Sequence, residues 1–362
     1  MLRNNLSRDG LDIKYVPCTG FYLLLGVILF VLGCSSSEQT TQQQQPRIAE
    51  TSASPDTKYT SAFPRRDVSE KINAIFRSVK RITINGIYRV YHFEDRPVTI
   101  NQIRNSDLSE LATRTISEEK GVAGTAVSIA QNNRHITLLT CAHVVQFPDT
   151  LIDYESTPEQ GHIKSIAVKY NQRNLLFGDS NLVPFEIKSV DENYDLALIQ
   201  INNNKEYSEE FPPLSIRMGD SKDLKWGSML YIIGYPKGAA VVTRGIVSSP
   251  NRTPRGDFLT DALFNHGMSG GIILASNNDY LTFEWVGIAN TASAEQENIL
   301  VPDPKRRTSE QLIEPYNGSI FVKKKTRIVY GLTQSIPTAG ITGFLGQNKD
   351  LLRGTDNELP NF

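Results

Sequence analysis

The chain contains the stretch Asn265-His266-Gly267-Met268-Ser269-Gly270-Gly271, a serine set among glycines. This composition suits a nucleophile whose hydroxyl must be surrounded by backbone N–H groups. Glycine lets the backbone turn an amide toward a developing oxyanion and keeps side chains away from an approaching carbonyl. A glycine-flanked serine on its own is more often part of a tight turn. The stretch indicates catalysis only if partner residues occur elsewhere in the chain.

Two distant segments supply such partners. Thr140-Cys141-Ala142-His143-Val144-Val145 follows an apolar run, and Asn193-Tyr194-Asp195-Leu196-Ala197-Leu198-Ile199 opens another. We assign His143 as general base, Asp195 as the residue that fixes its tautomer, and Ser269 as nucleophile. Taken singly, each residue also fits a structural role, the aspartate and serine in turns and the histidine in a core.

The turn that carries the serine is predicted to form the oxyanion hole. It consists of Gly267, Met268 and Ser269, with the amides of Gly267 and Ser269 as donors. His266 lies beside it, but no Cys/His/Asp spacing near this residue supports a metal. We therefore expect neither a metal nor a cofactor.

Composition limits the class of protein. The 362 residues carry 38 basic and 39 acidic side chains, for a net charge of −1, and this balance gives no reason to expect nucleic acid as a partner. Hydrophobic residues make up 39% of the chain, which is enough for a sizeable core. Many short apolar runs separated by Gly and Pro favour an all-β domain.

The N-terminus has the layout of a signal peptide, which we place at residues 1–33. Basic residues precede a 12-residue apolar segment from Phe21 to Leu32. Val31-Leu32-Gly33-Cys34 resembles the bacterial lipobox, which implies a lipid anchor on Cys34. An uncleaved transmembrane anchor is the alternative, although a span needs about 20 apolar residues. Either anchor places the domain outside the cytoplasm. In lipoproteins with this layout, serine after the cysteine implies the outer membrane of a Gram-negative cell.

A polar segment separates this anchor from the first predicted helix. Residues 34–66 are low in complexity and bury little apolar surface, so we predict a flexible tether. Asp67-Val68-Ser69-Glu70 has the form of a capping box, and apolar residues then recur at helical spacing to about residue 80.

Blocks of sequence across residues 121–346 resemble the bacterial Deg/HtrA serine proteases. Gly121-Val-Ala-Gly-Thr-Ala-Val-Ser-Ile129, a polar turn and Leu138-Leu-Thr-Cys-Ala-His143 resemble their entry into the catalytic histidine. Ile187–Ile201 resembles their aspartate segment, and Val286-Gly-Ile-Ala-Asn-Thr291 the strand that pairs with substrate. Several loosely matching blocks in the right order are more specific than any one of them.

The resemblance implies a fold and an activity. The fold is two six-stranded antiparallel β-barrels with a few peripheral helices and the site in the cleft between them. The activity is that of a serine endopeptidase acting on unfolded or exposed segments of polypeptides in the bacterial envelope. Relatives often form trimers through N-terminal elements, which makes the helix at 68–80 a candidate contact of a homo-oligomer.

The same resemblance locates candidate substrate-binding residues. Leu263 falls where the base of the primary specificity pocket is expected, and Ile288, Ala289 and Asn290 fall on the strand that pairs with substrate. Without a carboxylate at the base, a Lys or Arg side chain would lose its charge partner on entry. We therefore expect cleavage after small or medium apolar residues.

Three departures qualify the resemblance. His266-Gly267-Met268 stands where the family has Pro-Gly-Asn, and an insertion at about 295–325 interrupts the second barrel. The protease domain is placed at 67–346 with a short tail at 347–362, so the peptide-binding PDZ domain of many relatives is not expected. A catalytically silent protease-like domain, used as a membrane-tethered binding module, is the alternative to an active enzyme.

Overall fold

The computed structural model describes residues 58–61, 67–94, 98–154, 162–277, 282–302 and 318–352. The predicted signal peptide, Cys34, most of the tether and the end of the tail lie outside these residues. None of the helices in the described ranges is long and apolar enough to cross a membrane.

The first half of the domain is an antiparallel sheet of eight strands. They are β1 (Val79–His92), β2 (Arg114–Gln131), β3 (His135–Cys141), β4 (Thr150–Tyr154), β5 (Ile163–Phe177), β6 (Leu182–Pro184), β7 (Glu186–Asp191) and β8 (Leu196–Asn202). The order is β4-β5-β1-β2-β3-β8-β7, with β6 paired to β5. Only the buried Phe185 separates β6 from β7, so the segment 182–191 pairs with β5 at one end and with β8 at the other. The sheet curls back on itself through this bent segment.

The second half is a closed six-stranded barrel. Its strands are β9 (Met229–Gly234), β10 (Val241–Ser249), β11 (Phe258–Thr260), β12 (Ile272–Ser276), β13 (Phe283–Pro302) and β14 (Ile320–Pro337), joined in the order β10-β11-β14-β13-β12-β9. The predicted all-β class is confirmed. The first sheet differs from a simple six-stranded barrel because β4 adds an edge and Phe185 divides one strand in two.

Helices are short and lie between the strands or at the C-terminal end. They are α1 (Ser69–Phe76), α2 (Ile100–Asn105), α3 (Leu108–Leu111), α4 (Ala142–Val145), α5 (Lys205–Glu210) and α6 (Thr338–Gln347), with 3-10 turns at Ser221–Asp223, Pro236–Gly238 and Lys349–Leu352. The helix predicted at 68–80 is present as α1 but ends at Phe76, because residues from Val79 onward pair in β1.

The packed region extends beyond the predicted limits of 67 and 346. Tyr59 is buried in the second barrel, and the N–H of Thr60 donates to the carbonyl of Ser276 over 3.0 Å. At the other end, Leu352 is buried in the main core cluster. The tether predicted at 34–66 therefore includes a short segment, 58–61, that belongs to the folded domain.

Both sheets contribute to one apolar core. Leu139 and Leu198 of the first sheet belong to the same buried cluster as Ile233, Ile272 and Trp285 of the second. Truncating a fully buried side chain of this size to alanine typically costs about 3–5 kcal/mol. The shared core fixes the loops after β3, before β8 and before β12 at the junction of the two sheets.

The predicted insertion at 295–325 does not interrupt the second barrel. Its described part continues β13 and β14 outward as a two-stranded ribbon, paired from Ala294 opposite Ile328 to Pro302 opposite Ile320. The insertion therefore lengthens β13 and β14 beyond the barrel, and the pairing of these two strands within the barrel is kept.

Candidate active site

Strand pairing brings the histidine and the aspartate together. The end of β3 at Cys141 lies opposite the start of β8 at Leu196, and the N–H of Ala142 donates to the carbonyl of Asp195 over 3.0 Å. One residue beyond this pair, His143 sits on α4. His143 and Asp195 are 52 positions apart in sequence, and the antiparallel pairing of β3 with β8 brings them together.

Both carboxylate oxygens of Asp195 are used on His143. Oδ2 lies 2.6 Å from the ring Nδ1, and Oδ1 accepts from the backbone N–H of His143 over 2.8 Å. This arrangement favours the tautomer protonated at Nδ1 and leaves Nε2 as a proton acceptor. Asp195 itself has φ of 55°, in the left-handed region. Strained backbone of this kind persists where surrounding contacts fix it, as they do at many active sites.

Ser269 lies in a loop shaped by glycines. Gly267 and Gly270 have φ of 99° and 88°, which other residues rarely adopt. The hydroxyl of Ser269 donates to the backbone carbonyl of Asn290 over 2.8 Å. Within the described residues it makes no hydrogen bond to His143. The serine therefore stands in a resting rotamer, engaged with the neighbouring strand.

The peptide group before Gly267 has a fixed orientation. The carbonyl of His266 accepts from the N–H of Lys237 over 2.7 Å. Because a trans peptide is planar, the N–H of Gly267 must point in the opposite direction. Among the residues that the structure describes, the N–H groups of Gly267 and Ser269 donate to no acceptor. Both remain available to an oxyanion, as predicted for an oxyanion hole.

Met268, the third member of the predicted oxyanion turn, offers no free donor. Its N–H donates to the carbonyl of Asn265 over 3.0 Å. Its side chain is buried in the second barrel, against residues such as Leu230 and Ile273. Met268 therefore anchors the loop. In this turn, as far as the structure describes it, the N–H groups without an acceptor are those of Gly267 and Ser269.

The sequence analysis missed a residue that holds this loop from the other sheet. Thr125 of β2 donates from Oγ1 to the carbonyl of Gly267 over 2.7 Å, and from its N–H to the carbonyl of Ser269 over 2.8 Å. Oγ1 also accepts from the N–H of Tyr235 over 2.9 Å. The sequence holds no signal for this role beyond a hydroxyl residue in the stretch before the histidine.

The predicted substrate-binding residues divide into two groups. Ile288 and Ala289 are each 0% exposed, so their side chains are part of the core, and only the backbone of β13 is left to pair with substrate there. Leu263 is 59% exposed, which is not the environment of a pocket floor. Asn290 lines a cavity, and its carbonyl accepts from the hydroxyl of Ser269 over 2.8 Å.

Cys141 lies next to the site and has a thiol whose pKa is strongly raised. Burial raises the pKa of its thiol, and the nearby carboxylate of Asp195 raises it further. Its sulfur lies 3.4 Å from the carbonyl of Ala289. The ligand atoms of Cys141, His143 and Asp195 lie within 4.8 Å of one another. A neutral thiol and a carboxylate already bonded twice to histidine do not form a ready metal site. We interpret Cys141 as a packing residue.

Two cavities border these residues. One of about 370 Å³ is lined by residues around Asp195, by the loop before β11 and by β14. The other, of about 600 Å³, lies beside His143 and is lined by the residues that follow α4, among them Phe147 and Asp149. One cavity therefore borders Asp195 and the other borders His143.

Residues 124–287 match the family model of the trypsin-like peptidase domain, and this span contains His143, Asp195 and Ser269. The chain therefore carries a trypsin-like peptidase domain. More particularly, the domain is similar to serine proteases of the Deg/HtrA type, which confirms the resemblance predicted from sequence.

Curated relatives support this assignment. A probable periplasmic serine endoprotease, DegP-like, from Halomonas elongata is 29% identical over 161 residues, which are 43% of this chain and 27% of the relative. Serine protease HTRA4 from Mus musculus is 36% identical over 105 residues, 26% of this chain and 20% of the relative. The chain spans about a quarter of the length of these relatives.

Solved structures are also similar. The serine endoprotease from Yersinia pestis aligns with a TM-score of 0.38 and 18% identity, over 78% of this chain and 66% of that one. The Rv3671c protease from M. tuberculosis in its active form aligns with a TM-score of 0.42 and 13% identity, over 85% of this chain and 94% of that one.

Proposed function

We propose that this protein is a serine endopeptidase that hydrolyses peptide bonds by a His143–Asp195–Ser269 triad. The observation that carries the proposal is the 2.6 Å contact between Asp195 Oδ2 and His143 Nδ1, which leaves Nε2 free to accept a proton. The two uncommitted amides of Gly267 and Ser269 supply the second requirement, a site for negative charge.

The reaction begins with the hydroxyl of Ser269 leaving the carbonyl of Asn290 and turning to His143. Its proton passes to Nε2 while Oγ bonds to the scissile carbonyl carbon, and the carbonyl oxygen takes the electron pair. The amides of Gly267 and Ser269 stabilise that oxyanion. The C–N bond then breaks as the imidazolium returns the proton to the leaving amine, and water repeats the sequence to release the acyl group.

The setting is part of the proposal. The sequence pattern at Cys34 supports a lipid anchor and export to the envelope, where polypeptides would be the substrates. The name of one relative, a periplasmic DegP-like endoprotease, agrees with a place outside the cytoplasm. Homo-oligomerisation through α1 is a further proposal from the resemblance. Palmitate labelling that is lost in Cys34→Ala tests the anchor, and a mature N-terminus elsewhere would contradict it.

A silent binding module is the second candidate. It is favoured by the hydrogen bond from Ser269 to the carbonyl of Asn290, since a nucleophile held there is not poised for proton transfer. In this case the cleft would hold polypeptide segments without cutting them.

Fluorophosphonate labelling of the detergent-solubilised full chain separates the two candidates. The active enzyme should be labelled at Ser269 and should digest casein, and Ser269→Ala should lose both properties. Ser106→Ala, an exposed serine beyond α2, is the matched control and should keep both. A wild-type protein that resists labelling and leaves casein intact, even with added unfolded polypeptide, would establish the binding module.

A further inference from the structure

The cavity of about 370 Å³ beside Asp195 is lined by two arginines that the proposed chemistry does not use. Arg252 and Arg255 both line it, from the loop before β11. The guanidinium of Arg255 lies 4.8 Å from the centre of the Tyr194 ring, and Tyr194 lines the cavity too. Stacking of this kind holds a guanidinium plane in a fixed orientation.

Within the described ranges, Arg252 and Arg255 form no ion pair with a carboxylate, although the formal charges of the cavity lining balance. Two acidic residues line the same cavity, Asp195 and Asp257. Asp195 is bonded through both oxygens to His143, and Asp257 accepts from the hydroxyl of Thr253. The donors of the two guanidinium groups are therefore free to bind another anion.

One cavity-lining residue has a buried polar atom without a partner in the described ranges. It is Oγ of Ser335, which is only 4% exposed. Buried polar atoms in folded proteins nearly always have a hydrogen-bond partner, so an unpaired hydroxyl in a cavity wall indicates a missing polar ligand. The hydroxyl of Ser335 can donate to a carboxylate.

Asn290 connects this cavity to the reacting serine. Asn290 lines the cavity, and its backbone carbonyl accepts from Ser269 Oγ over 2.8 Å. A polypeptide whose scissile bond lies at Ser269 can therefore place a side chain of a nearby residue in the cavity. The cavity has room for a side chain of ordinary size.

We propose that this cavity is a subsite that selects an acidic side chain, Asp or Glu, of the polypeptide substrate. The inference rests on the proposed function and names the class of substrate that the site prefers. A planar carboxylate matches the forked donors of Arg252 and Arg255, and charge-assisted hydrogen bonds of this type are stronger than neutral ones. The selective residue is not the one cleaved after, which is still expected to be apolar.

The test compares peptides that differ only in charge. A fluorogenic series carries Glu at one of several positions on either side of an apolar cleavage site, each peptide paired with its Gln isostere. The detergent-solubilised full chain should favour Glu by about ten-fold in kcat/KM at one position, as expected for one charge-assisted contact at a partly exposed site. In Arg252→Gln/Arg255→Gln the Glu/Gln ratio should fall to about one. Arg104→Gln, an exposed arginine on α2 outside the cavity, should keep the wild-type ratio.

Binding separates this inference from the proposed activity. Fluorescence anisotropy of the same labelled peptides with Ser269→Ala should show tighter binding of the Glu peptide, and the double arginine substitution should remove the difference. Hydrolysis without any Glu preference would overturn the subsite and leave the peptidase intact. No hydrolysis, together with an arginine-dependent Glu preference in binding, would overturn the peptidase and leave the subsite intact.

Discussion

Thr125 Oγ1 donates to the carbonyl of Gly267 over 2.7 Å, and so a residue of the first sheet holds the oxyanion loop of the second. The N–H of the same threonine holds the carbonyl of Ser269 over 2.8 Å. These two bonds tie the loop to β2, and within the described residues the amides of Gly267 and Ser269 donate to no acceptor. Thr125 is thus a positioning residue, acting through the loop it binds.

Replacing Thr125 by valine should lower kcat by about ten- to a hundred-fold, because the loop that carries the two oxyanion amides would lose the side-chain hydrogen bond that holds it at the carbonyl of Gly267. KM should change much less, since the hydroxyl does not line the cavities. Thr125→Ser should restore most of the rate. Thr137→Val on β3, which removes a buried hydroxyl bonded to Gln200 over 2.9 Å, is the control for lost stability. Equal loss of rate in both valine variants would contradict the positioning role.

Gly267→Ala should abolish fluorophosphonate labelling. A Cβ at this position would lie 2.5 Å from the carbonyl oxygen of Tyr235, and the residue has φ of 99°. The loop must shift, and the amide of residue 267 moves with it. Gly343→Ala is the matched control, because a Cβ there meets nothing within 4 Å. That change lies in α6 and should stabilise the protein by up to about 1 kcal/mol, measured by thermal unfolding. Normal labelling of Gly267→Ala would show that the loop tolerates the shift.

Asp195→Asn should lower kcat by about three to four orders of magnitude while leaving the fold intact. In the wild type, both oxygens of Asp195 accept hydrogen bonds from His143. In the variant, the NH₂ group of asparagine would face Nδ1 as a donor, so the ring would favour the tautomer with its proton on Nε2. Steady-state rates on casein, with circular dichroism as a check on folding, measure this. A variant with near wild-type rate would remove Asp195 from the triad.

Cys141 should resist alkylation in the folded protein. Burial raises the pKa of its thiol, so the thiolate fraction stays low through the mildly alkaline range in which a free cysteine ionises. Iodoacetamide at pH 8.5, followed by peptide mass spectrometry, should modify Cys141 only after unfolding. Rapid modification of the native chain would show that the thiol is open to solvent. Cys141→Ala should keep activity, in agreement with a packing role.

Tyr59→Phe should lower the free energy of unfolding by about 1–2 kcal/mol, because the buried carboxylate of Glu284 would lose a hydrogen bond of 2.8 Å. Tyr170→Phe, which changes an exposed ring, should have little effect on stability. Burial raises the pKa of Tyr59, so its contribution is present below pH 10 and is lost at higher pH, where the unfolded chain ionises first. Urea titrations of the two variants measure this. Equal stabilities would show that the segment 58–61 is not anchored through this hydroxyl.

The sequence predicted those features that depend on local pattern. His143, Asp195 and Ser269 lie in short blocks whose residue types and order indicate the chemistry, and β3 and β8 are visible as apolar runs. Contacts between distant residues were not visible. The role of Thr125 depends on the approach of the two sheets, and the burial of Tyr59 depends on packing against distant residues of the second barrel. Ile288 and Ala289 are both buried because β13 is covered on both faces by core clusters, which sequence similarity did not show.

The division of the site between the two sheets has a consequence for engineering. His143 and Asp195 precede α5, whereas Ser269 follows it, so a cut within α5 would give two fragments that each hold part of the proposed triad. Neither fragment could contain Thr125 together with the loop that it supports. Fragments fused to two interacting proteins would recover hydrolysis only when brought together. The architecture is therefore suited to a split reporter, in which the rate of hydrolysis reports how often the fused partners bind each other.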